Sequence, residues 1–496
     1  MMSIFSNIQL FLNSLNKKNL LIFGFFGLIY ASITFVNHYN FRTYGWDLGI
    51  NHNAIYDYAH FRWNDCMIMQ PQFDNVLADH FSLYPLLISP LYWIFGTWTM
   101  LLFQWVAILF GGLGIYRYVL HLTKNENLSH LATIHFFSIW GIYSALSFDY
   151  HDNVVAAMFV PWLLLYFRQK KWRNVLIFFA LILIAKENMA LWAVFIGLGL
   201  GLRSWYEGDK VAAKWGGVLC LLAAVYFVVI LKVVIPGLAT PGREYLHNSF
   251  NALGGNFGEV IVNILKHPIR AFQLLFENHN GDPYYDGIKA ETYIAIALSG
   301  GITLFLAPEY LLMLVPIIAQ KVYNDVPVRW GISDHYSIEF APIIVIALYT
   351  VIHRMKKMKF QMALLMLMVC LGSTISFLDH RVSEYYKKDN TQFYKKAHWK
   401  RDFDVKGVHQ ILKKIPNDAR VSAQSMLSPH LAFRDYIFHY PHTEGADFIA
   451  LLPADPNRYP QNDSTYFAEI VNLKTSKEWR VFAETKDVLL FQKIKP

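Results

Sequence analysis

Long apolar runs separated by short polar or charged connections dominate the first three quarters of the chain. Eleven of these runs reach or approach the length of about 20 apolar residues that a membrane-spanning helix needs. They cover approximately residues 19–36, 98–120, 130–147, 153–168, 173–186, 188–203, 212–236, 291–306, 308–321, 336–352 and 360–378. The pattern predicts an all-α polytopic membrane bundle of about eleven transmembrane helices.

From about residue 380 the pattern becomes charged and alternating. The runs "ARVSAQS", "DYIFHYP", "ADFIALL" and "EWRVFAETKDVLLFQKI" read as strands, whereas "VKGVHQILKKI" has helical periodicity. We therefore predict a transmembrane domain over residues 1–379, with large loops at 37–97 and 237–290. A small soluble α/β domain is predicted over residues 380–496.

Composition and charge support a membrane location. Only 16% of the 496 residues are charged and 55% are hydrophobic, against about 25% charged in an average soluble domain. The formal net charge is +8, but the basic residues form short clusters between apolar runs and predict no nucleic-acid partner. Because positive charge biases short loops inward, we expect Lys17, Lys171, Lys214 and Lys357 to be cytoplasmic. The chain is then a multi-pass protein of the cytoplasmic (inner) membrane, with a cytoplasmic N-terminus and an extracytoplasmic C-terminal domain.

Familiar catalytic motifs do not explain the chain. It has no Walker loop, H-E-x-x-H or G-x-S-x-G sequence. The glycines of "GLGLGLR" are not preceded by a strand, and Gly197 with Gly201 instead predicts close packing of two membrane helices. Any chemistry must come from scattered polar residues.

Those polar residues fall in five connections on the predicted extracytoplasmic side. The stretches are "YGWDLGINHN", "ADHFS", "FDYHDN", "AKEN" and "SDHYS". Ionisable groups at membrane depth are costly and suggest a functional cavity. Each group also has a structural alternative: Lys186 and Glu187 as an ion pair, His80 and His335 as helix caps, and Asp47 as a solvated loop carboxylate or a helix cap.

The same stretches resemble a known family. "WDLGIN", "DHFS" followed by "PLLISPLYWIF", "FDYHDN", "KEN", "HYS" and "VSAQSMLSPHLAFRDYIFHYP" followed by "ADFIALL" resemble, in order, the landmarks of the membrane family catalogued as domain of unknown function 2079. The resemblance covers nearly the whole chain. That family in turn resembles the C-type glycosyltransferases, which use polyprenyl-phosphate-linked sugars and carry an aspartate in the first extracytoplasmic loop, where Asp47 stands.

The resemblance implies transfer of a sugar from a polyprenyl-phosphate donor to an acceptor on the extracytoplasmic face. The implied catalytic residues are Asp47 as the base that takes the acceptor proton, with Asp149 and Asp152 as further candidates. The expected partners are the sugar lipid and membrane lipids; no cofactor is expected to be required, a divalent cation such as Mg²⁺ is left open, and so is the oligomeric state. The predicted substrate-binding residues are Asp79, His80, His151, Lys186, Glu187, Arg329, His335 and Tyr336.

Two other functions fit the same residues. A transporter or flippase of a lipid-linked or anionic solute would also place Lys, Glu and His in the membrane. A non-catalytic membrane scaffold would use its C-terminal domain to bind a partner. A closed cavity open to one side favours the enzyme, a path through the membrane favours the transporter, and scattered polar groups favour the scaffold.

Overall fold

A computed structural model describes residues 16–69, 74–243, 247, 249–382 and 387–494. The described chain is mostly helical and carries a small sheet near its C-terminus. Helices occupy each of the apolar segments: Lys17–Tyr39, Thr99–Thr123, Glu126–Ser138, Trp140–Leu146, Asp152–Arg168, Trp172–Leu183, Glu187–Tyr206, Lys210–Val229, Ile288–Leu298, Pro308–Val322, Phe340–Arg354 and Lys359–Asp379.

Within the described residues, five helical stretches are long and apolar enough to cross a membrane. The helices Trp172–Leu183 and Phe340–Arg354 are apolar but shorter. The long stretches are Lys17–Tyr39, Tyr84–Thr123, Glu187–Tyr206, Lys210–Leu238 and Lys359–Asp379. Large apolar side chains such as Leu21 and Leu221 are exposed on them, as lipid-facing surfaces require.

Two of the predicted segments are not single helices. The segment 130–147 divides at Ile139, whose backbone is extended between Glu126–Ser138 and Trp140–Leu146. The segment 291–306 ends its α-helix at Leu298, turns at Gly300 with a positive φ, and continues as a 3₁₀ helix over Gly301–Leu306. Hydropathy alone does not report such breaks, because the residues on both sides remain apolar.

Small residues let two long helices approach closely, as "GLGLGLR" predicts. A Cβ atom on Gly197 would lie 2.6 Å from the backbone nitrogen of Cys220, and one on Gly216 would lie 2.5 Å from Cα of Gly201. The helices Glu187–Tyr206 and Lys210–Val229 therefore pack backbone to backbone, and the predicted packing role of Gly197 and Gly201 is confirmed.

The first large loop contains short elements. A π-helical turn, Gly45–Gly49, leads into the helix Ile50–Ala59. Strands β1 (Asp65–Cys66) and β2 (Asp74–Asn75) pair antiparallel. The helices Val76–Asp79, Tyr84–Ile88 and Tyr92–Phe95 follow before the long helix Thr99–Thr123 begins. In the later large loop, the helices are Ile235–Leu238, Phe257–Lys266 and Pro268–Leu274.

The C-terminal region forms a five-stranded mixed sheet where the alternating pattern predicts strands. Its strands are β3 (Val421–Ala423), β4 (Ile437–His439), β5 (Phe448–Leu451), β6 (Trp479–Glu484) and β7 (Leu489–Lys493), in the spatial order β4-β3-β5-β7-β6. Strand β3 runs parallel to β4 and β5, whereas β7 is antiparallel to β5 and β6. The helices of this region are Lys388–Thr391, Lys396–Trp399, Val405–Leu412, Ser428–Leu431 and Asp463–Thr475.

The sheet and the first loop share one hydrophobic core. Phe41, Ile50 and Cys66 pack with Val421 and Leu427. Arg42 adds polar contacts, because its guanidinium is buried and donates hydrogen bonds to the carbonyl oxygens of residues 389, 397, 398 and 400. The C-terminal region is therefore fixed against the loop that carries Asp47.

Candidate functional site

The turn that carries Asp47 is held from both sides. On one side, the backbone N–H of Tyr44 donates to Oδ2 of Asp149 over 2.8 Å. On the other, Gly45 packs so closely on the C-terminal region that a Cβ would lie 3.1 Å from Cβ of Ser428 and 3.2 Å from Cδ2 of His439. A side chain at position 45 would force these neighbours to shift by a few tenths of an ångström, and the two contacts fix the turn that carries Asp47.

Asp47, His151 and His335, here called the Asp47 group, meet at one wall of a cavity. Oδ1 of Asp47 lies 3.3 Å from Nε2 of His151. The His151 and His335 rings stack with their centroids 3.5 Å apart, and Phe148 stacks on the same pair. Burial lowers the pKa of His335, and the neighbouring His151, Lys186 and Arg329 lower it further. His335 is therefore neutral at pH 7.

A buried aspartate adds to this group. Burial raises the pKa of Asp334 to about 6, an effect that His151 opposes and the Asp47 charge reinforces. Its backbone lies in the left-handed region, with φ of 55°, a conformation that aspartate adopts more readily than most residues. That turn directs the following residues, His335 and Tyr336, into the cavity.

Asp79, His80 and His247, here called the Asp79 group, lie at another wall of the same cavity. The rings of His80 and His247 stack at 3.7 Å. Asp79 Oδ1 lies 3.1 Å from Nε2 of His247 and 3.0 Å from Nη2 of Arg243. The Arg243 guanidinium also pairs with Asp74, which is buried. Although burial opposes ionisation of Asp79, His80, His247 and Arg243 together hold its pKa below the usual range.

Glu187 supports the Asp79 group from behind. Its carboxylate accepts hydrogen bonds from Nδ1 of His80 at 2.8 Å and from the backbone N–H of Phe81 at 3.0 Å. Burial, with contributions from His247 and Lys186, lowers the pKa of His80 to about 4, so the imidazole is neutral at pH 7. Nδ1 then carries the proton, and Nε2 carries a lone pair.

The cavity has a volume of about 1320 Å³ and a lining of two chemical kinds. The polar part of the lining includes the groups above. The apolar part comes mainly from the helices Glu187–Tyr206, Lys210–Val229, Phe257–Lys266 and Pro308–Val322. It includes Val194, Phe195, Ala224, Val228, Leu231, Ile261, Ile264, Val315 and Ile317.

Most of the residues singled out from the sequence line this cavity. Asp149 is the exception, because it is fully buried behind the Asp47 turn, where burial and the Asp47 charge raise its pKa. Asp152 lines the cavity and accepts a hydrogen bond of 2.7 Å from the Tyr150 hydroxyl. The other cavity-lining residues among those candidates are Asp47, Asp79, His80, His151, Lys186, Glu187, Arg329, His335 and Tyr336.

Several cavity residues were missed from the sequence. Arg243 and His247 lie in the loop 237–290, and no spacing rule connects them to Asp79. Lys321 had a usable signal, since a lysine near the end of an apolar helix is costly unless it is paired or functional. Its Nζ donates to the carbonyl oxygens of Gly331 and Tyr336 and to Oγ of Ser337. Glu339 accepts a 2.7 Å hydrogen bond from Asn153 and faces the same cavity.

Long apolar helices and the exposed apolar side chains on them define a membrane protein. The chain belongs to the family described as "Predicted membrane protein (DUF2079)", whose model matches residues 37–490. No curated protein matches the chain. The matched range includes the Asp47 group, the Asp79 group and the C-terminal sheet up to residue 490.

Proposed function

We propose that this protein is an integral-membrane glycosyltransferase that transfers a sugar from a polyprenyl-phosphate-linked donor to an acceptor hydroxyl. The observation that carries the proposal is the mixed lining of the cavity. A polyprenyl-phosphate sugar has an apolar tail and an anionic, polar head, and the cavity offers both an apolar lining and a set of polar and charged side chains. Specific ligand sites combine a largely apolar lining with a few placed polar groups in this way.

The positively charged lining supports phosphate recognition. The lysines and arginines that line the cavity are Lys186, Lys232, Arg243, Lys321 and Arg329, and Lys232 lies in the π-helical turn Ile230–Val234 next to the apolar residue Leu231. Arg243 and Lys321 are already engaged by Asp79 and by carbonyl oxygens. Lys186 and Arg329 are the residues we assign to the donor phosphate, because preorganised cations stabilise the negative charge that develops on a leaving group. The Arg329 guanidinium is positioned over the Tyr336 ring, with 5.8 Å from its central carbon to the ring centroid.

Asp47 is the proposed general base. Its carboxylate accepts the proton of the acceptor hydroxyl as that oxygen bonds to the anomeric carbon of the sugar. The bond between the anomeric carbon and the phosphate oxygen breaks, and its electron pair leaves with the phosphate. His151, 3.3 Å from Asp47, orients the carboxylate. Asp152 remains a further candidate, whereas Asp149 acts in this proposal by holding the Tyr44 backbone.

The proposal includes the membrane arrangement expected from the sequence. Eleven spans, a cytoplasmic N-terminus and a location in the inner membrane would place the cavity and the C-terminal sheet on the extracytoplasmic side. The C-terminal region then lies beside the base and faces the acceptor. Tyr459 of this region lies 6.0 Å, centroid to centroid, from Trp46, the residue before Asp47. Exposed aromatic rings of this kind can pack on sugar faces.

The decisive experiment compares Asp47→Asn with Asp435→Asn in the purified full-length protein. Asp435 is a half-exposed aspartate that pairs with Arg62 and does not line the cavity. Both variants are assayed against a panel of radiolabelled polyprenyl-phosphate sugars, and native mass spectrometry measures binding of polyprenyl phosphate. We expect Asp47→Asn to bind the lipid normally while transfer falls by about two to four powers of ten, with Asp435→Asn unchanged.

Other results would reject the proposal. Normal transfer by Asp47→Asn removes Asp47 from the mechanism. Movement of labelled sugar lipid across proteoliposomes, without transfer to any acceptor, would favour the transporter. Failure of the wild-type protein to bind polyprenyl phosphate would reject the donor class itself.

A further inference from the structure

We propose that the Asp79 group is a binding site for a divalent first-row transition metal, with Zn²⁺ as its best match, and that Glu187 is its supporting residue. The potential ligand atoms of Asp79, His80 and His247 all lie within 4.8 Å of one another. Among the described residues, this is the group of at least three histidine, cysteine or acidic side chains whose ligand atoms lie close enough together to bind one metal ion. The proposal concerns binding and stands apart from catalysis by Asp47.

The distances suit a single ion. Two ligands of one tetrahedral zinc ion, with bonds of about 2.0–2.2 Å, lie roughly 3.3 Å apart. Asp79 Oδ1 and His247 Nε2 are 3.1 Å apart, and Asp79 Oδ2 and His80 Nε2 are 4.0 Å apart. Binding requires the stacked imidazoles of His80 and His247 to tilt from their interplanar angle of 23°, because both lone pairs must point at one centre.

Glu187 gives the site a feature that chance clusters lack. Histidines that bind metals usually donate their second ring N–H to a carboxylate or carbonyl, which fixes the tautomer and the ring orientation. The bond from His80 Nδ1 to Glu187 has this arrangement, and Glu187 is itself only 2% exposed. His80 therefore presents Nε2 toward Asp79 before any ion arrives.

The ligand set selects the kind of metal. Two imidazoles and one carboxylate match zinc sites that keep a fourth position open, whereas Mg²⁺ and Ca²⁺ prefer oxygen ligands. Arg243 and His247 both contact Oδ1 of Asp79, so Oδ2, which lies 4.0 Å from Nε2 of His80, is the oxygen left for the ion. Arg243 also pairs with the buried Asp74 of the first loop, and His247 itself contacts Asp79.

The open position faces the cavity, because Asp79, His80 and His247 all line it. A bound ion would add positive charge there and accept one oxygen of an anionic ligand. If the proposed function holds, that oxygen belongs to the donor phosphate. This last step rests on the proposed function, whereas metal binding does not.

The experiment uses the full-length protein in detergent, stripped with EDTA and titrated with Zn²⁺ alone. We expect one bound zinc per chain by elemental analysis, zinc-to-nitrogen distances of about 2.0–2.1 Å from two imidazoles by X-ray absorption, and a higher melting temperature. Asp79→Asn, His80→Gln and His247→Ala should each weaken binding by about 100-fold or more, and Glu187→Gln by about 10–100-fold. The matched control, His380→Ala, removes an exposed histidine at the end of Lys359–Asp379 and should bind zinc as the wild type does.

Several outcomes would overturn the site. These are absence of stoichiometric zinc in the wild type, equal binding by His247→Ala and His380→Ala, or displacement of zinc by an equal concentration of Mg²⁺. The wild-type absorption spectrum decides the ligand set even if a variant fails to fold. Zinc binding without any binding of polyprenyl phosphate would support the metal site and reject the proposed function, so the two failures are distinguishable.

Discussion

Two groups of one aspartate and two histidines line the same cavity, and their surroundings differ. In the Asp47 group the carboxylate contacts the imidazole of His151. In the Asp79 group the carboxylate contacts His247 and also the guanidinium of Arg243. A carboxylate fixed by a guanidinium is a poor proton acceptor but a well-oriented ligand, whereas one held by an imidazole can still accept a proton. Similar residues are therefore suited to different tasks.

The contacts that hold the histidines in place also differ between the Asp79 group and the Asp47 group. His80 is held by the carboxylate of Glu187, which leaves its other nitrogen directed toward Asp79. His335 instead lies between His151 and Tyr336, and its backbone carbonyl accepts a hydrogen bond from Asn153. We attribute proton transfer to the Asp47 group and metal binding to the Asp79 group, and each prediction below tests that division.

The largest expected effect is a different defect in each of two variants, Asp47→Asn and Asp79→Asn. Asp47→Asn should lower sugar transfer by about two to four powers of ten and leave zinc affinity unchanged, because only the proton acceptor is lost. Asp79→Asn should instead weaken zinc binding by about 100-fold or more. Transfer assays and zinc titrations on both variants measure this, and a loss of both properties in both variants would abolish the distinction.

The next effect concerns the salt bridge between Arg243 and Asp74, beside the Asp79 group. Arg243→Met should lower the free energy of unfolding by about 3–5 kcal/mol, because it leaves the buried Asp74 carboxylate without its partner. Arg62→Met is the matched control, since Arg62 and Asp435 are each 45% exposed and such pairs contribute about 0.2–1 kcal/mol. Denaturant titration of both detergent-solubilised variants measures the difference. Equal losses would show that Arg243 does not hold the Asp79 group in place.

A smaller effect should appear as a pH dependence of the Asp47 group. The pKa of Asp334 rises from 3.8 to about 6 on folding, so the folded state binds more protons than the unfolded state between these values. This contribution to stability is complete below about pH 4 and is lost as pH rises through 6, on the order of 2–3 kcal/mol. Asp334→Asn should therefore gain stability over the wild type as pH rises from 4 to 7.

Melting temperatures measured across this pH range test the effect, with Asp435→Asn as the exposed control. If the difference in melting temperature between wild type and Asp334→Asn stays constant from pH 4 to pH 7, then the surroundings of Asp334 do not raise its pKa.

The smallest expected effect is on zinc affinity, and it compares Glu187, which supports the Asp79 group, with Glu339, which lies beside the Asp47 group. Glu187→Gln should weaken zinc binding by about 10–100-fold, because glutamine no longer fixes the His80 tautomer as a carboxylate does. Glu339→Gln changes the acid that binds Asn153 beside the Asp47 group and should leave zinc affinity unaltered. Calorimetric titration distinguishes them, and equal effects would indicate a general electrostatic influence of cavity acids.

Much of the architecture was accessible from the sequence. The apolar segments are helices, and the alternating runs after residue 380 form strands β3–β7. The convergence of Asp47, His151 and His335 was also expected, since membrane helices return their connections to the same face. The breaks at Ile139 and after Leu298 were missed, because the local sequence remains apolar while packing against neighbouring helices sets the backbone.

The sequence by itself determined the membrane class, the helical segments and the polar connections, because hydrophobicity and backbone hydrogen bonding act locally along the chain. Tertiary structure alone decided that Asp149 lies behind the turn of Asp47, and that Arg243 and His247 join Asp79 across more than 160 residues. Such pairings depend on how distant segments pack and on which charges become desolvated together. No local pattern encodes those pairings, and they distinguish the Asp79 group from the Asp47 group.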